Sequence, residues 1–498
     1  MTNRIMRAIA ATVLLVVPLS ACNDVLDVTI QGQITDDLTR SPAGAEGLRL
    51  GAYQTWAFRN GAVTGTILTD ISNYGQVLWS GMLTDEFVNR NTTGNAVVAI
   101  DRRDGVGSAD YNQMHQIRSR AREAIQALTT FVPLVQRPRG QMWFLIGYTE
   151  LQFAEMYCAG VPLSRVVDGA IEYGSPLTMT QMYDSAIVHL DSALAYLGDA
   201  ADTAAVNLNN ASRIAKARAL IGRGGQGDDA AAVTAVAAIP TTYAYALTFG
   251  GGTVSNNALA QLNSLNNRVG VGDSVNPDGS VAPNALPFAS AGDPRVPVTG
   301  SSRLGQPTTT AGNNGAPWVR QNIWTALTTP FNIVSGLDAR LIEAEAQLKA
   351  RNIAGMMNIL NSLRATPPSL STTYRPAAMA ALPVPATQEA AVRLFFREKA
   401  FWTFGRGQRQ GDLRRLARQW GPGSTANFAA FSPANVFPIG NYFSNNGLVD
   451  GTYAQTTGNP GEVNFTLNEN RSTNPNMPEV NTALTPLGAL GTCQNRNP

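Results

Sequence analysis

Few residues of this 498-residue chain could carry out catalysis. Its two histidines, His115 and His189, each lie in an amphipathic helical pattern, where a single histidine is usually a core or surface residue. Neither the phosphate-binding pattern G-x-x-x-x-G-K-[ST] nor the esterase pattern G-x-S-x-G occurs. The sequence therefore lacks the commonest signatures of nucleotide binding and of serine esterases, and we assign no metal site and no cofactor.

An adjacent pair of acids, Asp85 and Glu86, is the strongest candidate for a reacting pair. Glycoside hydrolases need two carboxyl groups about 5 to 9 Å apart in space. Neighbouring side chains usually point in different directions, so a helix cap or loop cap is the favoured interpretation. A surface glycan hydrolase that uses one of these acids stays open as an alternative.

Gly222, Gly224 and Gly227 match the dinucleotide-binding pattern G-x-G-x-x-G. A dinucleotide site requires a strand before the glycines, whereas a helical pattern precedes them in this chain. We interpret the three glycines as a loop that ends a helix.

The N-terminus is typical of an exported bacterial lipoprotein. Arg4 and Arg7 precede an apolar run over residues 8–19, and residues 19–22 read Leu-Ser-Ala-Cys. The run is shorter than the roughly 20 residues that are needed to cross a bilayer. We predict that residues 1–21 are a signal peptide and that acyl chains on Cys22 tether the mature protein to a membrane.

Cys158 and Cys493 are the other two cysteines, and export would place both in an oxidising compartment. Such a compartment favours a disulfide between them, which would attach the C-terminal tail to a helix. Two unrelated thiols are the alternative.

The charge of the mature chain is close to zero. Removal of residues 1–21 takes Arg4 and Arg7 from the 37 basic side chains, which then equal the 35 acidic ones. A general nucleic-acid binder needs clustered cations, so this balance argues against nucleic acid as a partner. Neutral ligands are the expectation.

Apolar residues recur at helical spacing in blocks separated by short breaks. These blocks predict a mainly α fold of paired helices that resemble tetratricopeptide hairpins, without a strict 34-residue period. The predicted helices cover residues 111–131, 141–158, 180–197, 210–221, 337–350, 354–364, 389–404 and 412–419. Residues 241–332 and 421–498 are instead rich in Gly, Asn and Pro, which predicts long irregular loops with little β-structure.

Short motifs follow the lipoprotein signal at residues 25–28, 35–38, 81–86, 154–163, 293–295, 340–346, 360–364, 407–415 and 437–439. The motif at 407–415, Gly-x-Arg-x-x-Asp-Leu-x-Arg, contains Arg409 and Asp412, whose spacing predicts an ion pair at a helix end. In this order the motifs resemble the SusD/RagB family of outer-membrane nutrient-binding lipoproteins.

The resemblance implies a single SusD-like domain over residues 22–498. Its helical scaffold would cover about 36–240 and 333–420, with a loop-rich insert at about 241–332 and an irregular segment at about 421–498. The family's final motif is only echoed at residues 458–461, which indicates a divergent branch. The identity of the ligand is therefore not transferred.

The resemblance also implies a function at the cell surface. The protein would bind an oligomeric nutrient and pass it to a SusC-like TonB-dependent barrel in the outer membrane. A glycan is the preferred ligand, and an oligopeptide is the alternative. A glycan site needs exposed aromatic rings beside polar side chains. The candidates are Asn73, Tyr74, Trp79, Trp318 and Trp324. An envelope scaffold without a ligand is a further alternative.

Overall fold

The structure is a computed structural model, and helices dominate the residues that it describes. These residues are 40–63, 77, 80–81, 84–89, 105–157, 161–167, 169–198, 202–252, 255–266, 269–275, 281–300, 319–438 and 475–476. The mainly α fold class is confirmed.

The described residues of the N-terminal half of the scaffold include six helices of nine residues or more. They are α1 (Pro42–Arg59), α2 (Gly105–Phe131), α3 (Gln136–Met156), α4 (Met179–Leu197), α5 (Thr203–Arg223) and α6 (Asp228–Val236). Capping side chains mark where α1, α4 and α5 begin. Thr178 and Gln181 form a capping box at the start of α4, and Asp202 accepts a hydrogen bond from the Ala204 amide at the start of α5.

The second group of helices follows the loop-rich segment. It consists of α7 (Gly336–Lys349), α8 (Ile353–Ala365), α9 (Gln388–Trp402), α10 (Arg409–Trp420) and the short α11 (Pro433–Val436), with a 3-10 turn at Ala429–Phe431. Each of the eight predicted helices is present. The structure adds α1, α6 and the short α11. Four of the nine residues of α6 are alanine, which leaves little apolar contrast for a periodicity to show.

Close approach of α3 and α4 depends on glycine. A Cβ atom at Gly147 would lie 2.7 Å from Leu190 Cγ and 3.0 Å from the Ala186 carbonyl oxygen, and one at Gly140 would lie 2.9 Å from Leu197 Cγ. Distances below about 3.4 Å are unfavourable for carbon atoms, since optimal contact is at about 3.5–4.0 Å. The two glycines, seven residues apart, therefore let two helices of the scaffold pack backbone to backbone.

The strands are short and pair only two at a time within the described part of the chain. They are β1 (Ala62–Val63), β2 (Phe87–Asn89), β3 (Val161–Pro162), β4 (Arg165–Val167), β5 (Ala170–Glu172), β6 (Pro176–Leu177), β7 (Ala244–Leu247), β8 (Asn256–Asn257), β9 (Val269–Val271), β10 (Val298–Thr299), β11 (Arg320–Gln321) and β12 (Phe331–Ser335). The antiparallel pairs are β1–β8, β2–β9, β3–β6, β4–β5, β7–β12 and β10–β11.

The described part of the loop-rich segment contains more regular structure than its composition predicts. Residues 241–332 contribute β7 to β11 and a π-helical turn at Ala260–Leu265. Through β8 and β9 this segment pairs with β1 and β2 near the N-terminus, and through β7 it pairs with β12, which leads into α7. The segment therefore joins the N-terminal helices to the C-terminal ones.

The helix α5 ends where the three-glycine pattern occurs. Gly224 adopts the left-handed conformation, with φ 70°, and its amide donates to the Leu220 carbonyl. The interpretation of the pattern as a loop that ends a helix is confirmed. None of the described helices is both long and apolar enough to cross a membrane.

Candidate functional site

The acidic residue Asp85 lies in the core, just before β2. Its side chain is fully buried, and it binds Arg409 of α10 through two hydrogen bonds of 2.8 Å, to Nε and Nη2. Its Oδ2 also accepts a hydrogen bond from the Leu286 amide at 2.8 Å. One carboxylate thus connects the segment before β2 with α10 and with the loop-rich segment.

Glu86, beside it, is also fully buried. Its Oε1 accepts a hydrogen bond from the Gly405 amide at 3.0 Å, and burial raises its pKa to about 8. Neither acid can reach a bound substrate, because neither has any exposed surface. The alternative of a glycan hydrolase that uses Asp85 or Glu86 is therefore wrong.

The predicted ion pair between Arg409 and Asp412 does not form, because each has a partner on another element. Arg409 binds Asp85, whereas Asp412 accepts hydrogen bonds from Lys399 at 2.7 Å and from Arg415 at 2.9 Å. Arg415 also binds Glu345 of α7 through two hydrogen bonds, of 2.9 and 3.0 Å. The buried charges of α10 thus hold α7 and α9 together.

The remaining arginines of α10 bind helix ends. Arg414 donates to the carbonyl oxygens of Glu155 and Met156 at the end of α3, and Arg418 donates to the Gly222 carbonyl at the end of α5. Carbonyls in the last turn of a helix have no partner within the helix, so these cations satisfy them. The residues of the Gly-x-Arg-x-x-Asp-Leu-x-Arg motif are therefore architectural.

The Asp-Pro-Arg motif at residues 293–295 attaches the loop-rich segment to α9. The guanidinium of Arg295 lies between the carboxylates of Asp293 and Glu398, at 2.6–2.8 Å from the former and 2.7–3.0 Å from the latter. It also lies 5.2 Å from the ring of Phe401 and 5.0 Å from that of Trp402. Arginine suits this position because its planar group can bind two carboxylates and stack on rings at once.

The histidine His189 belongs to a polar cluster among α2, α3 and α4. Glu150 is fully buried and accepts hydrogen bonds from Arg118 Nε at 2.8 Å, from Ser185 Oγ at 2.8 Å and from His189 Nδ1 at 2.5 Å. Although burial opposes ionisation, Arg118 and His189 lower the pKa of Glu150 to about 2. The serine hydroxyl bonds to the carboxylate rather than to the imidazole, so this cluster lacks the geometry of a nucleophilic triad.

Trp324 is the one predicted aromatic contact that the structure describes. It is 1% exposed, its ring centre lies 5.3 Å from that of Phe331, and its amide donates to Gln321. The expectation of an exposed indole at this position is wrong. The apolar neighbours Val319, Ile323 and Phe331 are buried as well. This segment is about as rich in apolar residues as the rest of the chain, so no local signal in the sequence marks it as core.

The other predicted site residues lie outside the described residues. They are Cys22, Asn73, Tyr74, Trp79, Cys158, Trp318 and Cys493. Among the side chains that the structure describes, no three of His, Cys, Asp and Glu come together as metal ligands.

An open cleft of about 700 Å³ lies between β7, α7, α8 and the loop after α8. Nine of its twenty lining residues carry a hydroxyl group, and we call it the hydroxyl-rich cleft. Its volume falls within the roughly 300–1,000 Å³ of small-ligand sites. Hydroxyl groups both donate and accept hydrogen bonds, so this surface can bind a neutral polar ligand.

The fold is that of the SusD/RagB proteins. A SusD-like carbohydrate-binding protein from Bacteroides vulgatus is 14% identical, with a TM-score of 0.54 over 89% of this chain and 100% of that one. The surface glycan-binding protein A from Bacteroides uniformis is 12% identical, with a TM-score of 0.54 over 84% and 98% of the two chains. A SusD homologue from Bacteroides thetaiotaomicron is 11% identical, with a TM-score of 0.53 over 76% and 88%.

No protein-family model matches the sequence, and no curated protein matches it either. The predicted structural resemblance to the SusD/RagB family is confirmed across most of the chain.

Proposed function

We propose that this protein is a surface lipoprotein of the outer membrane that binds an oligomeric nutrient and delivers it to a SusC-like TonB-dependent barrel. The observation that carries the proposal is the shared fold, which covers 89% of this chain and the whole of a SusD-like carbohydrate-binding protein. A glycan is the preferred ligand, because a second protein of this fold is named as a surface glycan-binding protein.

Features of the sequence support the same proposal. The lipoprotein signal that ends at Cys22 would tether the mature chain to a membrane, and its balanced charge suits a neutral ligand. We further propose that the protein binds without catalysis, since the acidic pair Asp85 and Glu86 is buried in the core.

The partnership with a barrel can be tested by purification of the tagged lipoprotein from membranes in mild detergent. We expect a large β-barrel protein to co-purify in a stable complex. A second lipoprotein with the same tag, from the same cells, controls for non-specific recovery. Recovery of a lone monomer would overturn the proposed delivery to a transporter.

The ligand class can be tested on a soluble form that begins after Cys22, with an array of glycans and a matched set of oligopeptides. Binding of a glycan without cleavage is the expected result. Asn73, Tyr74, Trp79 and Trp318 remain the proposed aromatic and amide contacts of that glycan. Cleavage of a glycan would support an enzyme. If no glycan or oligopeptide binds while a barrel or other envelope proteins co-purify, the results would support a scaffold.

A further inference from the structure

We infer that the hydroxyl-rich cleft is a binding site for a neutral oligosaccharide. This inference rests on the proposed function and assigns the ligand a place in the fold. Trp324, the predicted aromatic contact that the structure describes, does not line the cleft. The cleft is formed by residues of the second helix group and by the first residues of the loop-rich segment.

The walls of the cleft combine polar and apolar groups, which match the polar rim and the apolar faces of a sugar ring. Asn358 and Ser362 are exposed on one face of α8, and Thr242 is exposed just before β7. The side chains of Tyr243 and Ile359 add apolar area between these polar groups. A sugar ring has apolar C–H faces and a rim of hydroxyl groups, so both kinds of lining would find a partner.

The loop after α8 is held in place without a ligand. The hydroxyl of Ser371 donates to the Ile323 carbonyl at 2.9 Å, and that of Tyr374 donates to the Pro294 carbonyl at 2.5 Å. Arg375 Nε donates to the Pro367 carbonyl at 2.6 Å, which positions a guanidinium at the rim. A loop ordered in advance loses less entropy on binding, which favours affinity.

The charge of the cleft favours a neutral ligand. Its charged lining residues are Arg340, Glu343 and Arg375, and the first two bind each other at 2.7 Å. Arg340 Nη2 also lies 3.4 and 3.3 Å from the carbonyl oxygens of Val236 and Ile239. One unpaired cation in the rim is too few for a polyanion, which would need a cluster of them.

A second depression in the described surface provides a contrast. It has a volume of about 940 Å³ and lies where α2 meets α3 and α4 meets α5. Only one of its ten lining residues, Tyr196, carries a hydroxyl group, and its rim includes Leu134, which is 92% exposed. The smaller cleft is therefore the better match for a sugar.

Two substitutions in α8 test the inference with little risk to the fold, because both side chains are exposed. Ser362→Trp fills the cleft, and the hydroxyl that it removes only donates to the Asn358 carbonyl within the same helix. Asn358→Leu keeps the size of the side chain and removes its amide. Thr130→Trp is the matched control, since Thr130 is an exposed helical residue whose hydroxyl donates to the Gln126 carbonyl, far from the cleft lining.

Affinity would be measured by titration calorimetry with hexasaccharides of α-1,4-glucan, β-1,3-glucan, β-1,4-xylan and β-1,4-mannan. For the hexasaccharide that binds, we expect Asn358→Leu to weaken binding about 3- to 10-fold, as for the loss of one or two hydrogen bonds. Ser362→Trp should weaken it more, and Thr130→Trp should leave it unchanged. Circular dichroism and the unfolding midpoint would verify that all three variants are folded.

Two results would overturn the inference. If a hexasaccharide binds and both cleft variants keep the affinity of the native chain, the cleft is not the site, whereas the proposed function stands. If none of the hexasaccharides binds, or if only oligopeptides from the matched set bind, the assignment of a neutral oligosaccharide to the cleft is wrong. Co-purification with a barrel would still decide the proposed function separately.

Discussion

Asp85 and Glu86 lie side by side in the core but have different partners. Asp85 meets a guanidinium, whereas Glu86 meets the Gly405 amide and has a second oxygen with no partner among the described groups. Burial without a cation disfavours the ionised form of a carboxyl group. The pair therefore provides two separate tests of how buried acids affect the stability of this protein.

Glu86→Gln should change the pH dependence of stability. The folded-state pKa of Glu86 is about 8, above its usual value of 4.5, so the folded protein binds an extra proton between these pH values. The native chain should lose stability as pH rises from about 5 to 8, and the variant should lack that loss. Urea unfolding at pH 5, 6.5 and 8 measures the effect. If the free energies of unfolding of the variant and the native chain differ by the same amount at all three pH values, the raised pKa of Glu86 is contradicted.

Asp85→Ala should destabilise the protein strongly. It leaves the Arg409 guanidinium buried without its carboxylate and the Leu286 amide without its acceptor. Removal of one member of a buried ion pair costs about 3–5 kcal/mol. Urea unfolding measures the free energy that each variant loses. A double variant, Asp85→Leu with Arg409→Met, should lose less stability than Asp85→Ala because it leaves no buried charge without a partner. A single variant as stable as the native chain would show that the pair is not structural.

Packing between helices depends on where their backbones approach most closely. In the scaffold this occurs between α3 and α4, where Gly140 and Gly147 face Leu197 and Leu190. Gly51 of α1 has open space instead, because a Cβ atom there would meet no atom within 4 Å. The chain thus contains an internal control for the role of glycine in helix packing.

Gly147→Ala should destabilise the protein, and Gly51→Ala should stabilise it. The new methyl group of Gly147→Ala would lie 2.7 Å from Leu190 Cγ, and overpacking of this kind costs about 1–3 kcal/mol. At Gly51 the same change only restricts the unfolded chain, which stabilises by about 0.4–1 kcal/mol. Thermal unfolding of both variants measures the effects. The same sign for both changes would contradict the packing argument.

At the scale of the whole molecule, the proposed function depends on attachment to a membrane. A binding protein that is tethered beside a transporter gains a high effective concentration for it without a larger interface. The proposed tether is the set of acyl chains expected on Cys22.

Cys22→Ala should release the mature protein from the membrane without a change in its fold. The substitution removes the thiol to which acyl chains would be attached, while residues 40–438 contain the elements that form the core. Partition of cell extracts between detergent and aqueous phases measures the change. Cys158→Ala is the matched control, because it removes a thiol and keeps the lipoprotein signal. Equal partition of the Cys22→Ala variant and the native chain would show that Cys22 is not the anchor.

Local sequence patterns determined most of the helices, although not α1 or α6, because the spacing of apolar residues and the caps act within a few residues of each other. This is why all eight predicted helices are present and why the glycines after α5 end it. The same reasoning does not distinguish a buried side chain from an exposed one in an irregular segment. Trp324 is the example, since its environment is formed by Phe331 and other residues brought together by folding.

Only the tertiary structure decided which charges pair and where a ligand could bind. Arg409 and Asp412 are one turn apart, yet Arg409 binds Asp85, more than 300 positions away, and Asp412 binds Lys399 and Arg415. The core excludes water from these groups, so each needs a partner within the protein. The hydroxyl-rich cleft likewise combines serines and threonines that are ordinary in the sequence. Such pairings depend on distances across the fold, and the local spacing of residue types does not determine those distances.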